Sequence, residues 1–175
     1  MSSGELVGFI NNLFVDSKFF LIESKKQIHN MELSSRYTKA SMLFAWAAFE
    51  GWINKTSLDF SITMKRLTVH ERAFLTEKRI ELKNGVFQLT NSIKYESNQE
   101  KLEFLLSSIA KTKLNKSTKH WQDFQEIKKL RDSLVHPKLG SETSFNIEKA
   151  EKTIEVLVYY LNLLSKKLYN KNFKI

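Results

Sequence analysis

Ala40-Ser-Met-Leu-Phe-Ala-Trp-Ala-Ala-Phe-Glu-Gly-Trp-Ile-Asn54 decides the fold class. Its middle, Met42 to Phe49, is an unbroken apolar run, the longest in the chain, yet under half the length of a membrane span. The flanks continue at helical spacing, so about Met31 to Ile62 reads as one long helix. A helix apolar on every side is buried on every side, which makes this one the expected centre of the domain.

Helical spacing extends outward in both directions. Leu6, Phe9, Ile10, Leu13, Phe14, Phe20 and Leu21 step by three, four or one and predict a first amphipathic helix. Thr68 with Glu71, and Ser97 with Glu100, have the spacing of capping boxes and open helices near Val69–Lys78 and Asn98–Lys111. A fifth helix runs from about Thr118 to Val135. A sixth, from about Asn146, carries Ile147, Ala150, Ile154, Leu157, Leu161, Leu164 and Leu168. Arg79 to Leu89 instead alternates apolar and polar residues around Asn84-Gly85, a strong hairpin signal. The expected fold is an all-α bundle of five to six helices, with either a small β-hairpin or an irregular connection near residues 79–90.

The 175 residues fit one domain, 1–175. With no cysteine, the chain has no disulfide, thiolate zinc site or cysteine nucleophile. Phosphate-cradling glycine loops, H-E-x-x-H, EF-hand loops and G-x-S-x-G are all missing, so neither a metal nor a cofactor is expected. MSSGELVGF shows no secretory pattern, and a cytoplasmic protein without a membrane partner is the expectation.

The net charge of +9 comes from 28 Lys and Arg against 19 Asp and Glu. Eight of those cations lie between Lys111 and Lys138, with three acids. Lys166, Lys167, Lys171 and Lys174 form a second cluster. Such patches suit phosphate backbones, and they equally suit a solvated face that keeps a protein soluble.

The most informative stretch is Glu126-Ile-Lys-Lys-Leu-Arg-Asp-Ser-Leu-Val-His-Pro-Lys138. Trp121, Phe124, Ile127, Leu130, Leu134 and Val135 define a buried face, and Arg131 falls in the middle of that arc. A guanidinium there must be paired, or must face a cleft or a partner chain. Pro137, the only proline, ends the helix at His136. The imidazole can then turn toward the cleft that Arg131 faces. An acid/base of neutral range beside a permanent cation suits phosphodiester cleavage. A helix-terminal histidine and a core ion pair explain the same two residues structurally.

Leu130-Arg-Asp-Ser-Leu-Val-His136 resembles the R-x4-6-H motif of HEPN domains, helical modules of prokaryotic toxin–antitoxin, abortive-infection and CRISPR systems. Asp132 matches the polar residue that tends to follow the motif arginine. The Phe49-Glu50 helix and the helix after Asn146 are also similar to the family, over roughly residues 35–170. The resemblance implies a homodimer that brings two motifs into one cleft and cleaves RNA without a metal, by 2′-hydroxyl attack. By that analogy His136 moves protons, Arg131 stabilises the pentacovalent phosphate, and Asp132 orients a neighbour. Lys138, Lys111, Lys113, Lys116, Lys119 and Lys128 hold the RNA backbone. Glu50, on the buried stripe of its helix, is an added candidate partner for Arg131. A toxin or phage-defence role with a cognate antitoxin, such as a nucleotidyltransferase, is implied. A silent module that dimerises, binds RNA or docks an antitoxin is the alternative.

Overall fold

A computed structural model describes residues 3–137 and 145–173. Along the chain come α1 (Ser3–Lys26), α2 (Met31–Thr63), α3 (Val69–Thr76), β1 (Lys78–Lys83), β2 (Val86–Ile93), α4 (Asn98–Phe104), α5 (Lys119–Val135) and α6 (Ile147–Tyr169). The fold is mostly helical with one two-stranded antiparallel hairpin. No helix among the described residues is long and apolar enough to cross a membrane. The chain divides into two compact units, Met1–Phe49 with Asn115–Ile175, and Glu50–Leu114.

In the first unit, α1 and α2 meet through small polar residues. Ser17 Oγ donates to the Ser41 carbonyl and Ser41 Oγ to the Ser17 carbonyl, each at 2.9 Å. Two turns onward along α1, Ser24 lies 2.7 Å from Thr38 Oγ1 and donates to the Ser34 carbonyl. Serine at these positions lets two backbones approach while every buried hydroxyl keeps a partner. An aromatic group joins α2, α5 and α6: Phe124 packs against Trp46, Phe49, Trp121 and Tyr160 at ring distances of 5.2–5.8 Å. Burial pushes the Tyr160 phenol up to about 12, because the charged form would lose its water.

Two apolar expectations fail here. Leu43 and Ala47 are exposed, so the apolar run of α2 is not buried on every side. Val135 is also exposed, because the buried face of α5 ends at Leu130, with Leu134 half-buried. On α1, Ile10 and Phe14 are buried as the spacing requires, while Val15, Phe19 and Ile22 form a second apolar stripe, more than half exposed.

In the second unit, α3 carries the expected capping box. Thr68 Oγ1 accepts from the Glu71 N–H, and the Glu71 carboxylate accepts from the Thr68 N–H at 2.8 Å. That backbone bond is the main reason the Glu71 carboxyl is held below the ordinary glutamate range. Arg72 turns back on α2 and donates to the carbonyls of Ser61, Met64 and Leu67, closing the end of that helix. The hairpin forms as the Asn84-Gly85 signal indicates. Both residues take positive φ, 52° and 77°, as a tight two-residue turn requires. Because β1 starts at Lys78, α3 stops at Thr76, short of its expected end.

The second capping box does not close. Ser97 starts α4 without a side-chain bond. The expected helix to Lys111 gives way to a π-helical turn at Leu105–Ile109, which buries Leu105, Leu106 and Ile109. The ammonium of Lys101 is in the interior, 1% exposed, bonded to Glu77 at 2.6 Å and to Asn54 at 2.7 Å.

Candidate catalytic site

The C-terminal end of α5 is fixed at both ends of the helix. Thr118 caps the start, its hydroxyl accepting from the Trp121 N–H. At the other end His136 leaves the helix with φ −128° and ψ 68°, outside the α region that the following proline disfavours. Its N–H still donates to the Asp132 carbonyl at 2.9 Å. The imidazole is exposed, and no hydrogen bond or ion pair engages it among the described residues.

Asp132 organises the cations of this turn. Its Oδ1 accepts from Arg131 Nη1 at 3.1 Å and its Oδ2 from Lys128 Nζ at 3.2 Å. The Arg131 guanidinium lies 5.9 Å from the centre of the Trp46 ring and its side chain is 27% exposed. That position agrees with the helical wheel: the charge is partly desolvated on an aromatic face while the turn keeps access to solvent. The indole Nε1 of Trp46 is buried without a hydrogen-bond partner among the described residues. Asp132 is thus the shared partner of Arg131 and Lys128 in this turn.

The other candidates are spread along the chain. Glu50 lies in the second unit, half-buried, and its carboxylate accepts from the Asn98 amide. Lys111 and Lys113 are exposed in the second unit, whereas Lys116 and Lys119 are exposed in the first. Lys116 sits over the Trp121 ring at 5.4 Å. Lys119 borders a cleft whose lining includes Asp123, Glu148, Glu151 and Glu155, a poor surface for phosphate. Lys152 of that cleft bonds Asp123 and Glu126 at 2.6 and 2.8 Å, and the Asp123 bond leads in raising its pKa. Lys138 lies outside the described residues. Among those described, no group of three acidic or histidine side chains is placed to hold a metal ion.

The sequence reading missed two features. The floor that Trp46 gives Arg131 depends on contact between helices, although both residues lie in stretches singled out above. The buried Lys101 left a local trace, since it stands four residues before Leu105 on the inward stripe of its helix. No protein family, curated protein or solved structure matches the chain.

Proposed function

We propose that this chain is a metal-independent endoribonuclease of the HEPN type, built on Arg131 and His136. The observation that carries the reading is the end of α5, where a partly desolvated arginine on an aromatic floor precedes by five residues an exposed imidazole that no described residue engages. In the reaction the 2′-hydroxyl oxygen attacks the adjacent phosphorus and the 5′-oxygen leaves. His136 takes the hydroxyl proton, and an imidazole supplies one to the leaving oxygen. Arg131 stabilises the charge that builds on the phosphorane oxygens, and Asp132 keeps its guanidinium in place. The products are a 2′,3′-cyclic phosphate and a 5′-hydroxyl. Two copies of the motif in one dimer cleft supply a base and an acid together. The exposed stripe of Val15, Phe19 and Ile22 favours self-association, because a contiguous apolar face is stabilised by covering it. A role as a toxin or phage-defence effector restrained by an antitoxin accords with such an activity.

The test is incubation with single-stranded RNA in EDTA. The expected products carry cyclic-phosphate or 3′-phosphate ends, while DNA of the same sequence stays intact because it lacks the nucleophile. Light scattering at micromolar concentration should give twice the 20.5 kDa chain mass. Cleavage only with added divalent metal, or a strict monomer, overturns the mechanism. A dimer that leaves RNA intact favours the silent module.

A further inference from the structure

The hairpin and α3 enclose a cleft of about 710 Å³, lined among others by His70, Phe74, Lys78, Arg79 and Phe87. Small-molecule sites typically occupy roughly 300–1,000 Å³. Lys78, Arg79 and Ile80, consecutive on β1, all border this cleft, with Lys78 and Ile80 partly covered and Arg79 exposed. Between the Lys78–Ile93 and Ile80–Leu89 pairs, Arg79 alone stands opposite Thr90, Asn91 and Ser92, so the extra residues lie on β2. Such an irregularity bends the strand that carries the extra residues and is common beside binding sites.

The charges around the cleft are unequal. Lys94 is neutralised by Glu96 at 2.8 Å. Lys78 and Arg79 make no ion pair or side-chain hydrogen bond among the described residues, which leaves two positive charges unanswered. Beside Ala73 and Ile80 the lining carries aromatic rings: the His70 ring meets Phe87 edge-on at 5.7 Å, and Phe74 borders the same cleft. Phe87 is about half exposed, so its ring is accessible to a flat ligand.

We propose that this cleft binds a nucleoside phosphate, its base against Phe87 and His70 and its phosphate on Arg79 and Lys78. A terminal phosphate carries close to two negative charges at neutral pH, which matches the two free cations. Arginine suits phosphate because its planar fork donates two parallel hydrogen bonds. An aromatic face stacks any base, so the site takes nucleotides by class rather than by sequence. The nucleotide is either free or one unpaired position of an RNA strand. The site does not depend on Arg131 or His136.

Full-length protein carrying His136→Ala, which protects RNA from cleavage, should be titrated by calorimetry with AMP, with hexaadenylate and with inorganic phosphate. AMP should bind in the micromolar range, and Arg79→Ala and Phe87→Ala should each weaken it at least tenfold. Both positions are exposed on the hairpin, and unchanged melting curves verify that the variants fold. If hexaadenylate alone binds, with the same sensitivity, the site takes a nucleotide within a strand. If neither binds, or both variants stay within twofold of the parent, the site is wrong. Inorganic phosphate competing as well as AMP overturns the aromatic half of the assignment. Because binding is read without cleavage, loss of the ribonuclease reading leaves this result standing.

Discussion

The end of α5 and the cleft beside the hairpin both present cations, but in opposite states. At α5 one carboxylate, Asp132, holds Lys128 and Arg131 at 3.2 and 3.1 Å, and Trp46 supports the guanidinium. At the hairpin Lys78 and Arg79 have no such anchor, and Phe87 stands partly in solvent. A cation held in place before the ligand arrives suits stabilisation of charge that develops during a reaction. A free cation suits capture of charge already present. The two proposals rest on that difference, one for chemistry and one for binding.

Variants at the two sites should dissociate completely, and this is the largest expected effect. His136→Ala and Arg131→Ala should each lower RNA cleavage by roughly 10²–10⁴-fold, the range for a lost acid–base group, while AMP binding stays unchanged. Arg79→Ala should do the reverse. Melting curves should put His136→Ala within about 0.5 kcal/mol of the parent, as for exposed positions. Arg131→Ala should lose more, about 1 kcal/mol, because it gives up its contact with Trp46. Equal stability losses with intact cleavage would make both residues structural.

A smaller effect tests the anchor itself. Asp132→Asn keeps the shape of the side chain but removes the charge that gathers Lys128 and Arg131. It should lower kcat by about tenfold with little change in KM, since it loosens orientation rather than substrate contact. An unchanged kcat would show that Arg131 is positioned by other contacts.

The smallest effect lies in the cap of α3, whose second residue, His70, borders the cleft. Thr68→Ala should destabilise the protein by about 1 kcal/mol in urea titration and weaken AMP binding by less than threefold. Glu71 adds a pH signature. Its carboxyl is held low in the folded chain, so its contribution is complete above the ordinary glutamate value of about 4.3 and fades as pH falls through the depressed folded value. Glu71→Gln should flatten that acid limb of the stability curve.

Local rules carried the sequence reading where the cause was local. Thr68 with Glu71 and the stop at Pro137 are each settled within four residues and each forms, and of the two alternatives at Asn84-Gly85 the hairpin forms. Ser97 with Glu100 has the same spacing, yet its cap bond is absent, so spacing permits a box without compelling one. The exposure of Leu43 and Ala47 was hidden because an all-apolar run has no polar side to mark where packing stops. The candidate site was legible in Arg131, Asp132 and His136 because one helix carries all three. The hairpin cleft was not, since it forms only where α3 lies beside the hairpin, a contact between elements that no local pattern reveals.

The burial of Lys101 bears on how the hairpin unit opens. One ammonium is shared between Asn54, 47 positions earlier in α2, and Glu77, the residue that ends α3. Moving Glu77 away leaves a buried ammonium without its counter-charge, and moving Asn54 away leaves it one hydrogen bond short. Partial loosening of any of these segments is therefore penalised almost as heavily as releasing all of them. The amides of α3, α4 and the second half of α2 then exchange with solvent as one cooperative group rather than fraying in turn, and a protease meets this unit either closed or entirely open.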